Sequence, residues 1–103
     1  MDVLIHPSAI YMPSANVVAR EIEGELIIVP LVSGMGDLED ELFTLNSTGK
    51  AIWLRLDGRR TLGDIIHDLS SEYSAPESEI ETDVMGLVQE LARRKMVDVA
   101  ERA

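Results

Sequence analysis

The sequence predicts a small α+β domain in which a three-stranded antiparallel N-terminal sheet is followed by three helices. Between residues 16 and 45, short apolar and β-branched runs are separated by turn residues, which is typical of strands. From Asn46 onward the apolar residues recur at helical spacing. A chain of 103 residues can bury only one core, so we expect a single domain.

The chain is expected to open with an irregular N-terminal arm over residues 1–16. Pro7 and Pro13 interrupt this stretch, and it shows no sustained periodicity. The folded domain is then expected to span residues 17–99.

The first two strands are predicted as a hairpin. Residues 17–22 and 25–29 are β-type runs on either side of Glu23-Gly24, a turn that contains glycine. Residues 26–29 are apolar on both strand faces, although one face of a small exposed sheet is usually polar. This pattern allows a homodimer.

The third strand is predicted at Glu41–Leu45. It follows residues 32–40, which hold two glycines and three acidic residues and are predicted to form an exposed loop. A short strand beside such a loop is a plausible open sheet edge, and its unpaired N–H and C=O groups could pair with an incoming peptide.

Capping signals set the starts of the helices. Asn46 or Ser47 can cap the first helix, and Thr61 with Asp64 forms a capping-box pattern for the second. Pro76 suits the first turn of a third helix that runs to about Lys95. Residues 96–99 are predicted as a short final strand or wing.

The third helix carries a wide apolar arc. We expect Ile80, Val84, Leu87 and Leu91 to form its core stripe, while Met85, Val88 and Ala92 widen the arc on one side. The wider part could line a peptide groove, or it could pack on the N-terminal arm or on a second subunit.

Composition argues against an enzyme, a metal site and a cofactor site. The chain has no cysteine, and His6 and His67 have no second histidine at helical spacing with which to hold a metal. No glycine-rich phosphate-binding motif is present. No apolar run reaches the roughly 18 residues of a membrane helix, and no signal peptide is recognisable, so a cytoplasmic location is expected.

Three strands followed by three helices describe a winged helix-turn-helix order, which would suggest a DNA-binding regulator. Two features argue against nucleic acid. The net charge is −10, and the first half of the third helix, where a reading helix meets bases, carries four acidic residues and no Lys or Arg. A purely structural dimerisation domain is the other alternative.

A set of motifs resembles the PqqD-like family, which comprises coenzyme PQQ synthesis protein D and related recognition elements for ribosomally synthesised, post-translationally modified peptides. The similar pattern is L-N-x-x-G-x-x-I-W from Leu45, then L-D-G-x-x-T-L-x-D-I from Leu56, then Asp83-Val84 and Leu91. It covers roughly residues 42–99.

The resemblance implies a non-enzymatic winged helix-turn-helix chaperone. In that family, the leader of a precursor peptide adds as a strand to the third strand, packs against the third helix and is presented to a modifying enzyme, often a radical SAM protein. The pathway could be PQQ synthesis or that of another modified peptide.

The candidate peptide-binding residues follow from the resemblance, the open edge and the wide apolar arc. They are Glu41, Leu42, Phe43, Thr44, Leu45, Glu81, Asp83, Met85, Val88 and Ala92. Asp83 either contacts the ligand or serves only the start of its helix. Because acidic residues border the expected groove, the bound segment should be neutral or basic at its ends.

Overall fold

The computed structural model describes residues 5–31 and 43–100. Within these ranges the chain is α+β, with three helices and short strands in two antiparallel sheets. In chain order, the elements are β1 (Tyr11–Pro13), β2 (Val17–Ile22), β3 (Glu25–Pro30), β4 (Phe43–Leu45), α1 (Ser47–Trp53), α2 (Leu62–Tyr73), α3 (Glu77–Arg93) and β5 (Val97–Val99). The expected loop at 32–40, and Glu41 and Leu42 of the expected third strand, lie outside the described residues.

The predicted hairpin is confirmed. β2 and β3 pair along their full length, and the pair nearest the turn is Ile22 with Glu25. Glu23 and Gly24 between them have φ values of 52° and 84°. Two successive positive φ values are the geometry of a two-residue type I′ turn, which matches the twist of the strands. β4 pairs with the other side of β3, so the strand order is β2-β3-β4.

The N-terminal arm contains a strand, which corrects the expectation that residues 1–16 are irregular. β1 pairs antiparallel with β5, and the N–H of Gly58 donates to the carbonyl of Tyr11 at 3.0 Å. Tyr11 is 3% exposed and belongs to the core. A three-residue strand has too little periodicity to be recognised locally, and its partner, the predicted final strand, lies at the opposite end of the chain.

The helices begin where the capping signals predict. The side-chain oxygen of Asn46 accepts the N–H of Gly49 at 2.8 Å. Thr61 and Asp64 form a reciprocal capping box, with hydrogen bonds of 3.0 and 3.1 Å. α3 begins after Pro76, which makes no side-chain capping bond. These contacts satisfy backbone N–H groups that a helix start otherwise leaves unpaired.

The core lies between the inner face of the three-stranded sheet and the helices, and it corrects the predicted stripe on α3. The buried residues of α3 are Ile80, Val84, Val88 and Leu91. Val88 is 0% exposed, whereas Leu87 is only partly buried. A wide apolar arc is compatible with either residue facing inward, and the packing of α2 against α3 decides between them.

Candidate functional site

The orientation of the backbone groups of β4 follows from the β2–β3 ladder. The N–H of Leu31 donates to the carbonyl of Asn16 at 2.8 Å, just beyond the last paired residues of the two strands. Successive residues of an antiparallel strand direct their N–H and C=O groups to opposite sides. Counting back from Leu31, Leu26 and Ile28 therefore direct these groups toward β4.

Thr44 is left with its backbone groups on the open side of the sheet. Phe43 lies opposite Ile28 and Leu45 opposite Leu26, so both use their N–H and C=O groups in the ladder with β3. Thr44 lies between them, and its N–H and C=O point away from β3. Within the described residues β4 pairs with β3 alone, so this edge is open.

A groove of about 330 Å³ runs beside this edge. It is formed by β4, by the residues around the start of α1 and by one flank of α3. Its lining residues are Phe43, Thr44, Leu45, Asn46, Thr48, Gly49, Ile52, Asp83 and Leu87. The apolar side chains come from the core-facing side of β4 and from the two helices. An extended chain paired with β4 could place alternate side chains in this groove.

Gly49 allows α1 to approach β4 closely. A Cβ atom at this position would lie 3.2 Å from both Cβ and Cδ2 of Leu45, and 3.4 Å from the side-chain oxygen of Asn46. The two distances to Leu45 are shorter than ordinary van der Waals contacts, so a larger residue would require the Leu45 side chain or the helix start to shift by a few tenths of an ångström. The glycine of the L-N-x-x-G motif therefore permits the close contact between α1 and Leu45 at the wall of the groove.

A charged cluster lies beside Phe43. The guanidinium of Arg94 stands over the Phe43 ring at 4.7 Å from its centroid, within the range of a cation–π contact. Glu90 accepts hydrogen bonds from Arg94 at 2.7 Å and from Arg93 at 2.7 and 2.8 Å. These bonds, those from Arg94 first, hold the pKa of Glu90 below its usual value. The cluster orients the cation that covers Phe43.

The structure brings four of the predicted site residues together. Phe43, Thr44 and Leu45 form β4, and Asp83 lines the groove from α3. Glu41 and Leu42 lie outside the described residues. Whether a ligand contacts any of these side chains stays a prediction.

The remaining predicted site residues lie away from this groove. Val88 is fully buried, so its side chain is not available to a ligand. At about 100° per residue, Glu81 lies roughly 160° around α3 from Asp83, and Met85 lies about as far from Leu87. Ala92 lines a different cavity. The groove therefore uses the flank of α3 opposite to the one that the wide apolar arc suggested.

Sequence reasoning missed several groove residues, of which Leu87 is the most informative. Its helical spacing fits the expected core stripe, so the sequence alone does not indicate that it lines the groove. The relevant signal is that Leu87 lies one turn after Asp83, so both residues occupy the same flank. Asn46, Thr48, Gly49 and Ile52 belong to the motif that carries the family resemblance, but the sequence did not indicate that they line a groove.

A second cavity of about 410 Å³ lies between the end of α3 and the β1–β5 sheet. Tyr11, Ser14, Ala92 and Lys95 are among its lining residues, and burial raises the pKa of the Tyr11 hydroxyl. No group of three or more potential metal ligands occurs in the described ranges. Over the same part of the chain, no helix is long and apolar enough to cross a membrane.

The fold and the groove define a class: small α+β domains with an open strand edge beside a helix-lined groove, an architecture suited to extended chains. The family described as "Coenzyme PQQ synthesis protein D (PqqD)" matches residues 3–97. The chain therefore belongs to the PqqD family, and the resemblance noted in the sequence is confirmed.

Two curated relatives carry the name "PqqA binding protein". The chain is 34% identical to the protein of Gluconobacter oxydans (strain 621H) over 58 residues, which is 56% of this chain and 60% of the relative. It is 41% identical to that of Rhizobium meliloti (strain 1021) over 51 residues, 50% of this chain and 52% of the relative. The matched region thus spans little more than half of each relative.

Two solved structures share the fold. One, "TbiB1 in Complex with the TbiA(beta) Leader Peptide", has a TM-score of 0.68 and 23% identity, covering 89% of this chain and 98% of the other. The other is the solution structure of the PqqD truncation of Methylobacterium extorquens PqqCD, described as a stand-alone recognition element for ribosomally synthesised and modified peptides. Its TM-score is 0.71 at 21% identity, covering 92% of this chain and 95% of the other.

Proposed function

We propose that this protein binds an extended peptide by adding it as a strand to the free edge of β4. The observation that carries the proposal is the position of Thr44, whose N–H and C=O face the open side of the sheet directly beside the groove. An added strand would satisfy both groups, and its alternate side chains would enter the groove.

The ligand is the leader segment of a ribosomally synthesised precursor peptide of the PqqA type. The names of the two curated relatives support this choice, as does the leader-peptide complex among the structures that share the fold. The protein presents the leader to a modifying enzyme, such as a radical SAM protein, and has no catalytic activity of its own. It acts in the cytoplasm, where precursors are synthesised.

In this proposal the domain is a winged helix-turn-helix that binds a peptide rather than DNA. α3 would be the reading helix of a DNA-binding member. Its acidic residues Glu77, Glu79, Glu81 and Asp83 are all exposed. Duplex phosphates would be repelled by this surface and by the net charge of −10.

Amide hydrogen exchange tests the proposal directly. The ¹⁵N-labelled protein is measured by NMR with and without a saturating concentration of synthetic PqqA peptide from Gluconobacter oxydans, and calorimetry gives the affinity. Exchange of the Thr44 amide should slow at least tenfold when peptide binds. Ala19 serves as the internal control, because the same alternation places its N–H on the outer edge of β2.

Two outcomes would contradict the proposal. One is the absence of measurable peptide binding. The other is binding that leaves the exchange rate of the Thr44 amide unchanged, since a strand paired with this edge must protect that group.

A further inference from the structure

Asp83 is the one formally charged residue among the described residues that line the β4–α3 groove. Its carboxylate is exposed, and no hydrogen bond or ion pair with another described residue holds it. The other lining side chains are apolar or carry only hydroxyl or amide groups. Among the described residues, the groove therefore presents one negative charge against a mainly uncharged surface.

Three cations on or next to the two helices that line the groove form ion pairs with other acids. Lys50 on α1 contacts Glu21 of β2, and Arg55 contacts Glu72 of α2 at 2.6 Å. Arg94, at the far end of α3, donates to Glu90. A cationic group on the ligand would therefore compensate the Asp83 charge in the complex without breaking these pairs, and the net charge of −10 further favours a cationic partner.

We propose that the bound peptide carries a Lys or Arg side chain that pairs with Asp83, and an apolar side chain two positions away that packs on Leu87. This inference rests on the proposed strand addition and specifies the residues that it selects. Asp83 is the specificity-determining residue for the cation, and Leu87 is the corresponding residue for the apolar side chain.

The spacing of the two α3 residues is close to that of alternate residues in an extended peptide. Asp83 and Leu87 are separated by one helical turn, a rise of about 6 Å. Alternate residues of an extended peptide are about 6.7 Å apart. The peptide residue opposite Thr44 is flanked by two residues whose side chains lie on the same face as Phe43 and Leu45, which is the groove side.

The apolar walls raise the strength of the charge pair above that of a fully exposed one. Leu45, Ile52 and Leu87 exclude water from one side of the groove, while its open side remains hydrated. A pair in this intermediate setting should change affinity by about 3- to 10-fold. The effect should decline as salt rises, because the site is only partly shielded from solvent.

Selection from a displayed library of random 15-residue peptides tests this specificity, because the library samples ligands of every charge pattern. The baits are the full chain and its variants Asp83→Lys, Asp98→Lys and Thr44→Pro. Asp98 is an exposed acid on β5, so its substitution is matched in charge but lies outside the groove. Peptides enriched on the unaltered chain should share a Lys or Arg two positions from an apolar residue.

Charge reversal gives the decisive comparison. Asp83→Lys should enrich Asp or Glu at the position where the unaltered chain enriches Lys or Arg, whereas Asp98→Lys should leave the preference unchanged. Calorimetry with one enriched peptide should show a 3- to 10-fold loss of affinity when Asp83 is changed to Asn in the protein. The same loss of affinity should follow when the Lys of the peptide is changed to Gln. Combining the two changes should add little further loss.

The failure modes are separable. If Asp83→Lys retains the same preference for basic residues, the pairing with Asp83 is overturned while strand addition stands. If the unaltered chain enriches no peptide, or if Thr44→Pro enriches the same peptides equally well, the proposed strand addition itself is overturned.

Discussion

Substitution of Thr44 by proline should strongly weaken peptide binding while leaving the domain folded. Proline lacks an N–H, and the N–H of Thr44 points to the open side of β4 rather than into the ladder with β3. Edge strands tolerate proline where the lost N–H faces outward. Ala19→Pro is the matched control, because it removes an outward N–H from the opposite edge of the same sheet.

The expected loss of affinity follows from one missing hydrogen bond. Its net contribution is about 0.5–1.5 kcal/mol, and the peptide carbonyl left without a donor costs about 1–3 kcal/mol where water cannot reach it. With partial access of water to the edge, the combined effect is about 2–3 kcal/mol, which corresponds to a dissociation constant ~30- to 150-fold higher.

The assay combines calorimetry with PqqA peptide and thermal unfolding followed by circular dichroism. Thr44→Pro should lose affinity and Ala19→Pro should retain it, with both variants unfolding cooperatively. A folded Thr44→Pro variant with unaltered affinity would refute strand addition at β4. Equal losses in the two variants would refute the assignment of the peptide to this edge.

Four further substitutions test the core, a helix cap and the electrostatics beside the groove. Leu87→Ala should weaken peptide binding by about 10-fold as measured by calorimetry. Val88→Ala should lower the free energy of unfolding by about 1–3 kcal/mol in urea unfolding, because it leaves a cavity in the core, and should leave the affinity for peptide nearly unchanged. A loss of affinity in Val88→Ala but not in Leu87→Ala would contradict the placement of the two residues. Thr61→Ala should lower the melting temperature by about 4–8 °C, since it removes an N-cap worth about 1 kcal/mol, and an unchanged melting temperature would contradict the role of the cap. Glu90→Gln should lose less stability than the unaltered chain between pH 7 and pH 3, as measured by urea unfolding. The lowered pKa of Glu90 gives stability that is present above its ordinary pKa of 4.5 and is lost as pH falls through the folded-state pKa. An equal loss of stability in the variant would show that the hydrogen bonds between Glu90 and Arg94 do not stabilise the fold.

The helix starts and the hairpin could be predicted from the sequence because their causes are local. The capping box of Thr61 needs only Asp64 three residues later, and the turn at Glu23-Gly24 needs only a residue pair that accepts positive φ. The family resemblance was also accessible, since its motif is continuous over short stretches. These features involve contacts among residues close together in the chain.

The sequence predicted part of the candidate site. It predicted the third strand as an open edge and Asp83 as a candidate site residue, and Asp83 does line the groove beside β4. It also placed Met85, Val88 and Ala92 among the candidate peptide-binding residues, and none of these three lines that groove. Helical periodicity gives the angular positions of residues around one helix, but it does not indicate which neighbouring element packs against each side of that helix. Contacts with other parts of the fold were needed to place Val88 in the core and Leu87 at the groove.

By itself, the sequence determined the fold class, most element boundaries, the acidic surface and membership of the PqqD family, because each depends on composition or on short-range patterns. Only the tertiary structure decided that β1 joins β5, that Thr44 directs its backbone groups outward, and that Asp83 and Leu87 line the groove beside β4. The physical reason is the same in each case. Strand pairing and helix packing bring together residues that are distant in the chain. These long-range contacts determine which side chains and backbone groups remain accessible to a ligand.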